Sequence, residues 1–154
     1  MLYFAYGSNL SKSAMRSRAP GTEPVSAAVL PEHALVFESN EPQGAPDAYF
    51  ANVRPDTKQS VQGALYEINA RDLAALDAYE DVSHGVYERV VLSVVRPDGT
   101  RADAVVYRMN VARRPRFGMP SPIQLEQIRA GYADWGLDLR VLEGVLDSIK
   151  PRIA

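Results

Sequence analysis

The sequence predicts an α+β protein: a small mixed, mostly antiparallel sheet of about seven strands that can curl into a barrel, with a few packed helices. Three observations carry this. Short apolar runs rich in β-branched and aromatic residues recur along most of the chain, bounded by Pro, Gly, Asn or Asp. Helical spacing with recognisable caps is confined to a few separate segments. No repeat or shift of composition divides the 154 residues, so one domain over residues 1–154 is expected.

The elements follow in order. Leu2 to Tyr6 is apolar and aromatic and stops at Gly7-Ser8-Asn9, as a buried strand entering a tight turn does. Ser11 caps a short helix carrying Met15, Arg16 and Arg18, which Pro20-Gly21 ends. Val25–Leu30, Ala34–Glu38 and Tyr49–Arg54 read as three strands, with Ser39 to Asp47 as a solvated connection. Val61–Ile68 is a further strand. Asn69 then caps a helix with Asp72 in its first turn, reaching about Glu80. Tyr87–Arg96 and Arg101–Met109 form a hairpin around Pro97-Asp98-Gly99. Ser121, Pro122 and Gln124 make a capping-box start for a helix ending at Trp135-Gly136. Asp138 caps a last helix with Leu139, Leu142, Leu146 and Ile149 on one face, interrupted by Gly144.

Composition narrows the function. With 46% hydrophobic and 23% charged residues the chain reads as an ordinary globular protein, and a net charge of -2 gives no general attraction to nucleic acid or anionic membrane. The absence of cysteine removes disulfides and thiolate metal sites, and His33 and His84 stand too far apart to suggest catalytic zinc. No run of eighteen apolar residues occurs and no basic leader opens the chain, so a cytoplasmic protein is expected. Arg113-Arg114-Pro115-Arg116 lacks the wider basic stripe of a nucleic-acid surface and reads as a solvated loop. Trp135, Tyr132 and Tyr79 fall at or near helical core positions, where packing is the default role.

Two places remain for chemistry. Gly7 follows a buried strand directly, so backbone N–H groups there can converge on a carboxylate or an oxyanion; a purely structural turn is the plainer alternative. Glu80 lies four residues after Leu76 and seven after Leu73, which puts its carboxylate on the apolar face of its helix. Burial and the helix C-terminus both push such a carboxyl toward its neutral form, the condition of a general base; an ion pair with Arg89 or Arg108, or a frayed helix end that exposes it, is the alternative. A Ser8–His84 triad lacks the G-x-S-x-G setting of a nucleophilic serine.

The residues LYFAYGSNL, VQGALYEI, LDAYEDVSHGVYERV, PSPIQLEQI, GLDL and LDSI, in that order, resemble the γ-glutamylcyclotransferases and their AIG2-like relatives across nearly the whole chain. The resemblance implies a small mixed barrel in which Tyr3, Phe4, Ala5, Tyr6, Gly7 and Ser8, with Asn9 beside them, hold substrate. Glu80 matches the catalytic glutamate of the LD-x-x-E-x-V motif, and Tyr87 matches the tyrosine of Gly-x-Tyr and lines the pocket. The implied reaction turns a γ-glutamyl amine or amino acid into 5-oxoproline and free amine, without metal or cofactor. One departure stands out: Gln124 occupies the place of a substrate-contacting tyrosine. It serves either as the capping partner of Ser121 or as a contact to a substrate of different polarity. A non-catalytic binder of a γ-glutamyl or carboxylate metabolite and a hydrolase releasing glutamate are the competing functions.

Overall fold

The computed structural model describes residues 1–39, 48–109 and 116–153, the last four by their backbone alone. Strand β1 (Leu2–Ala5) leads into a 3-10 turn (Ser8–Leu10) and helix α1 (Lys12–Arg18). Two long strands follow, β2 (Glu23–Ser39) and β3 (Phe50–Glu67), then α2 (Ala70–Tyr79) and a second 3-10 turn (Val82–His84). The hairpin β4 (Tyr87–Val95) and β5 (Arg101–Met109), the short β6 (Arg116–Phe117), α3 (Pro122–Trp135) and α4 (Leu139–Ile153) complete the order.

The strands lie in the order β3-β1-β5-β4-β2-β6, and β2 also pairs with β3. That extra pairing closes five strands into a barrel and leaves β6 attached outside β2. Only the β1–β5 contact, Tyr3 opposite Val105, is parallel among the described pairs. Closure removes the exposed edges that an open sheet of this size would carry.

The α+β barrel class therefore agrees with the sequence expectation, while the strand count differs. The predicted strands 25–30 and 34–38 are two halves of β2, and 49–54 and 61–68 are two halves of β3. Pro31 suggested a break, but the register slips there instead, from Pro31–Ser60 to His33–Pro55, with Glu32 in the left-handed region at φ 59°. A bulge bends a strand without ending it. Residues 40–47 of the expected loop and Arg113-Arg114-Pro115 lie outside the described residues.

The caps behave as their side chains require. Ser11 Oγ accepts the Ala14 N–H, and Asn69 and Asp72 exchange side-chain and backbone bonds in a full capping box. Gly136 ends α3 at φ 65°. Asp138 accepts the Arg140 N–H at 3.0 Å at the start of α4 and is tied to β3 by two hydrogen bonds with Gln62. Leu142, Leu146 and Ile149 of α4 are buried; Leu139, expected on the same face, is exposed in the first turn. Phe4, Phe37, Leu65, Leu76, Ile128 and Leu142 are among the fully enclosed side chains of the core.

One contact brings the last quarter of the chain to the first turn. At Gly131 a Cβ would stand 2.2 Å from Leu10 Cβ, so only glycine lets α3 approach the Ser8–Leu10 turn this closely. Trp135 reinforces it, its Nε1 donating to Leu10 O at 2.9 Å while its ring meets Tyr66 edge-on.

Candidate active site

A cavity of about 420 Å³ opens at the end of β1. Tyr3, Tyr6, Gly7, Ser8 and Asn9 line one side, Glu80 and Tyr87 the other, and Gln124 reaches in from α3. The structure thus gathers eight of the ten expected site residues around one space. Phe4 and Ala5 are the exceptions: both are completely buried in the core and do not reach the cavity. Adjacent positions on a strand cannot all face one way, and the turn at Gly7 rather than the whole run of β1 shapes the wall.

The turn is tight for a visible reason. At Gly7 a Cβ would lie 3.1 Å from Ala51 Cβ, and its carbonyl accepts the Leu10 N–H to close the 3-10 turn. Tyr66 Oη donates to Asn9 O at 3.1 Å and holds the same turn from beneath. Tyr6 Oη donates to Tyr107 O and Tyr87 Oη to Ala51 O at 2.7 Å, so both hydroxyls are anchored to backbone while the residues line the cavity.

Glu80 is the C-cap of α2, its N–H bonded to Leu76 O at 2.8 Å. Asp81 follows in the left-handed conformation at φ 54°, a state that aspartate tolerates better than most residues, and turns the chain out of the helix. The carboxylate lies in the cavity wall, where Asn9 Nδ2 donates to Oε1 at 3.4 Å and also to Tyr3 Oη at 2.9 Å. Burial raises the Glu80 carboxyl from 4.5 to about 7, opposed by the positive charge of Arg18. The ion-pair alternative is removed: Arg89 binds Asp77 at 3.1 Å and Arg108 binds Glu88 at 2.7 Å.

Other sequence expectations resolve locally. Ser8 Oγ accepts a hydrogen bond from Arg18, while His84 Nδ1 contacts Asp81 on the exposed side, so no triad forms around Ser8. Gln124 does not complete a capping box. Ser121 Oγ accepts the Gln124 N–H at 3.2 Å, but the Gln124 side chain turns into the cavity wall, where its buried Oε1 has no hydrogen-bond partner among the described residues. Tyr79 is half exposed at the mouth rather than packed in the core. Trp135 and Tyr132 do pack as expected.

Sequence reasoning missed Phe50, Val86 and Tyr107 in the lining, and Arg18, which holds the lining residues Ser8 and Asn9. Tyr107 donates to Asp77 Oδ1 at 2.6 Å. Its only sequence signal was an aromatic on the inward side of a predicted strand. No group of three or more His, Asp or Glu suited to a metal occurs among the described residues. No helix among them is long and apolar enough to cross a membrane.

A closed barrel with a cavity of about 420 Å³ whose wall carries a buried carboxyl, raised to about 7 by burial, beside a glycine turn is the plan of a small-molecule enzyme. The chain belongs to the γ-glutamyl cyclotransferase, AIG2-like family of enzymes, whose model matches residues 3–131. It is 31% identical over 155 residues to the γ-glutamylcyclotransferase of Bos taurus, covering 97% of this chain and 79% of that one. The Homo sapiens γ-glutamylcyclotransferase is 29% identical with the same coverage. A solved structure titled γ-glutamyl cyclotransferase superposes with a TM-score of 0.84 at 26% identity, over 94% of this chain and 85% of that one.

Proposed function

We propose that this protein cyclises a γ-glutamyl amine or γ-glutamyl amino acid to 5-oxoproline and releases the free amine, with Glu80 carrying the proton. The observation that supports this reading is Glu80 itself: a carboxyl held near about 7 in the wall of an aromatic cavity, opposite the Gly7–Asn9 turn. A site that merely held an anionic metabolite would gain nothing from such a group.

The chemistry needs little else. A γ-glutamyl group brings its own nucleophile, because its α-amine can reach its γ-carbonyl in a five-membered ring. Ionised Glu80 takes a proton from the α-ammonium. The amine nitrogen then bonds to the γ-carbon, and the amide C–N bond to the departing group breaks. Protonated Glu80 returns its proton to the leaving nitrogen as that bond breaks, then takes the remaining extra proton from the ring nitrogen and passes it to the released amine, which departs as an ammonium. One residue is base and acid in turn, and no water is consumed. Backbone N–H groups around Gly7 and Ser8 hold the substrate and face the developing oxyanion, a contribution of about 3 kcal/mol per donor. Tyr3, Tyr6 and Tyr87 supply the apolar walls, and Gln124 brings to the same wall a side-chain amide whose Oε1 has no partner among the described residues.

Incubation with a panel of γ-glutamyl amino acids and amines, with products identified by mass, tests this. The reading expects 5-oxoproline with an equal amount of amine. Free glutamate would establish a hydrolase instead, and binding without turnover a sensor.

A further inference from the structure

Arg18 ends α1 and reaches three parts of the site. We propose that Arg18 is a positioning residue for the reaction: its guanidinium fixes the Asn9 amide in the orientation that presents an N–H to Glu80. The inference rests on Glu80 as proton carrier and adds the group that aligns it.

An asparagine amide has one accepting and one donating end, and a guanidinium has donors only. Arg18 Nη1 donates to Asn9 Oδ1 at 2.6 Å and to Ser8 Oγ at 3.0 Å. The amide oxygen is thereby committed to Arg18. Its NH₂ end must face the other way, toward Tyr3 Oη at 2.9 Å and Glu80 Oε1 at 3.4 Å. Rotated by half a turn, the amide would set donor against donor on the Arg18 side and acceptor against carboxylate on the Glu80 side.

The guanidinium is itself immobilised. Nη2 donates to Gln127 Oε1 on α3 at 3.2 Å, and the plane lies over the Tyr79 ring at 4.0 Å from its centroid. Tyr79 is the residue before Glu80, so one side chain joins the Ser8–Leu10 turn, the end of α2 and α3. Lysine has a single ammonium and no plane, and cannot make this set of contacts together.

Arg18 is also the cation that opposes burial at Glu80. The phenols of Tyr3, Tyr6, Tyr87 and Tyr107 around the site are held well above their ordinary range by burial, and stay neutral while Glu80 titrates. Asp77 and Asp81 are engaged with Arg89 and His84. From the turn and α3, Ser8, Asn9, Gln124 and Gln127 bring no charge.

The test compares Arg18→Lys, Arg18→Met and Glu80→Gln with the unaltered protein, measuring kcat and kcat/KM against pH and following folding by Trp135 fluorescence. Arg18→Lys keeps the charge and loses the fork, so its acid limb stays in place while kcat falls about tenfold. Arg18→Met loses both, so kcat falls further and the limb moves up by about half a pH unit or more. Unaltered kcat in Arg18→Lys overturns the proposal, as does a lowered melting temperature with unaltered kcat in the folded enzyme, which makes Arg18 structural only. Should Arg18→Met not fold, the Arg18→Lys arm decides. Full activity in Glu80→Gln overturns both this proposal and the reaction it serves. An inactive Glu80→Gln beside unaltered Arg18 variants removes Arg18 alone.

Discussion

Replacing Glu80 with glutamine is expected to stabilise the protein near neutral and alkaline pH while removing its chemistry. Burial raises the Glu80 carboxyl from 4.5 to about 7. A carboxyl that holds its proton more tightly folded than unfolded withdraws stability as pH rises, because the unfolded chain releases the proton first. The loss is absent below about 4.5, accumulates from there to about 7 and is complete above that. The gap of about 2.5 units, at about 1.4 kcal/mol each, amounts to about 3 kcal/mol. Glutamine has nearly the same shape and never ionises, so the variant escapes this loss. Urea unfolding of both proteins, followed by Trp135 fluorescence at several values between about pH 4.5 and pH 8.5, measures the difference. The variant's advantage should widen through that interval and level off above about 7. A difference that stays constant with pH would refute the claim that Glu80 is held at cost inside the cavity.

In assays of cyclising activity, Glu80→Gln should lose about a hundred- to ten-thousand-fold in kcat, the usual worth of a positioned acid–base group. The kcat/KM of the unaltered protein should rise with pH through about 7, because only ionised Glu80 accepts the ammonium proton; a profile flat across that range contradicts it. Gln124→Met removes a buried acceptor that has no partner among the described residues, so denaturation should find the free protein no less stable while KM rises about tenfold. Gly131→Ala drives a methyl into Leu10, and calorimetry should show about 1–3 kcal/mol of destabilisation together with lost activity, since α3 and the site turn separate.

Much of this fold was legible because its signals are local. Asn69 and Asp72, Ser11, Ser121 and Gly136 mark helix ends through their own side chains and backbone angles, and each does so in the structure. The fusion of four predicted strands into β2 and β3 was not legible, because proline ordinarily ends a strand. Only the partner strand's matching slip at residues 55–60 turns Pro31 into a bulge. Glu80 could be found from spacing, since Leu73 and Leu76 fix the inward face of α2. Arg18 could not. Its contacts to Asn9, Tyr79 and Gln127 depend on three elements meeting at one point, and nothing in the order of residues shows that meeting. Gln124 was ambiguous for a related reason: a residue at the third helical position can turn back to its cap or forward into a cavity, and only packing chooses.

The most direct measurement is turnover of a γ-glutamyl amine in heavy-oxygen water by the unaltered protein and by Glu80→Gln. Cyclisation driven by Glu80 predicts unlabelled 5-oxoproline, formed in equal amount with the amine, and a product stream that all but disappears in the variant. Labelled glutamate, or a variant that cyclises as fast as the unaltered protein, would contradict it.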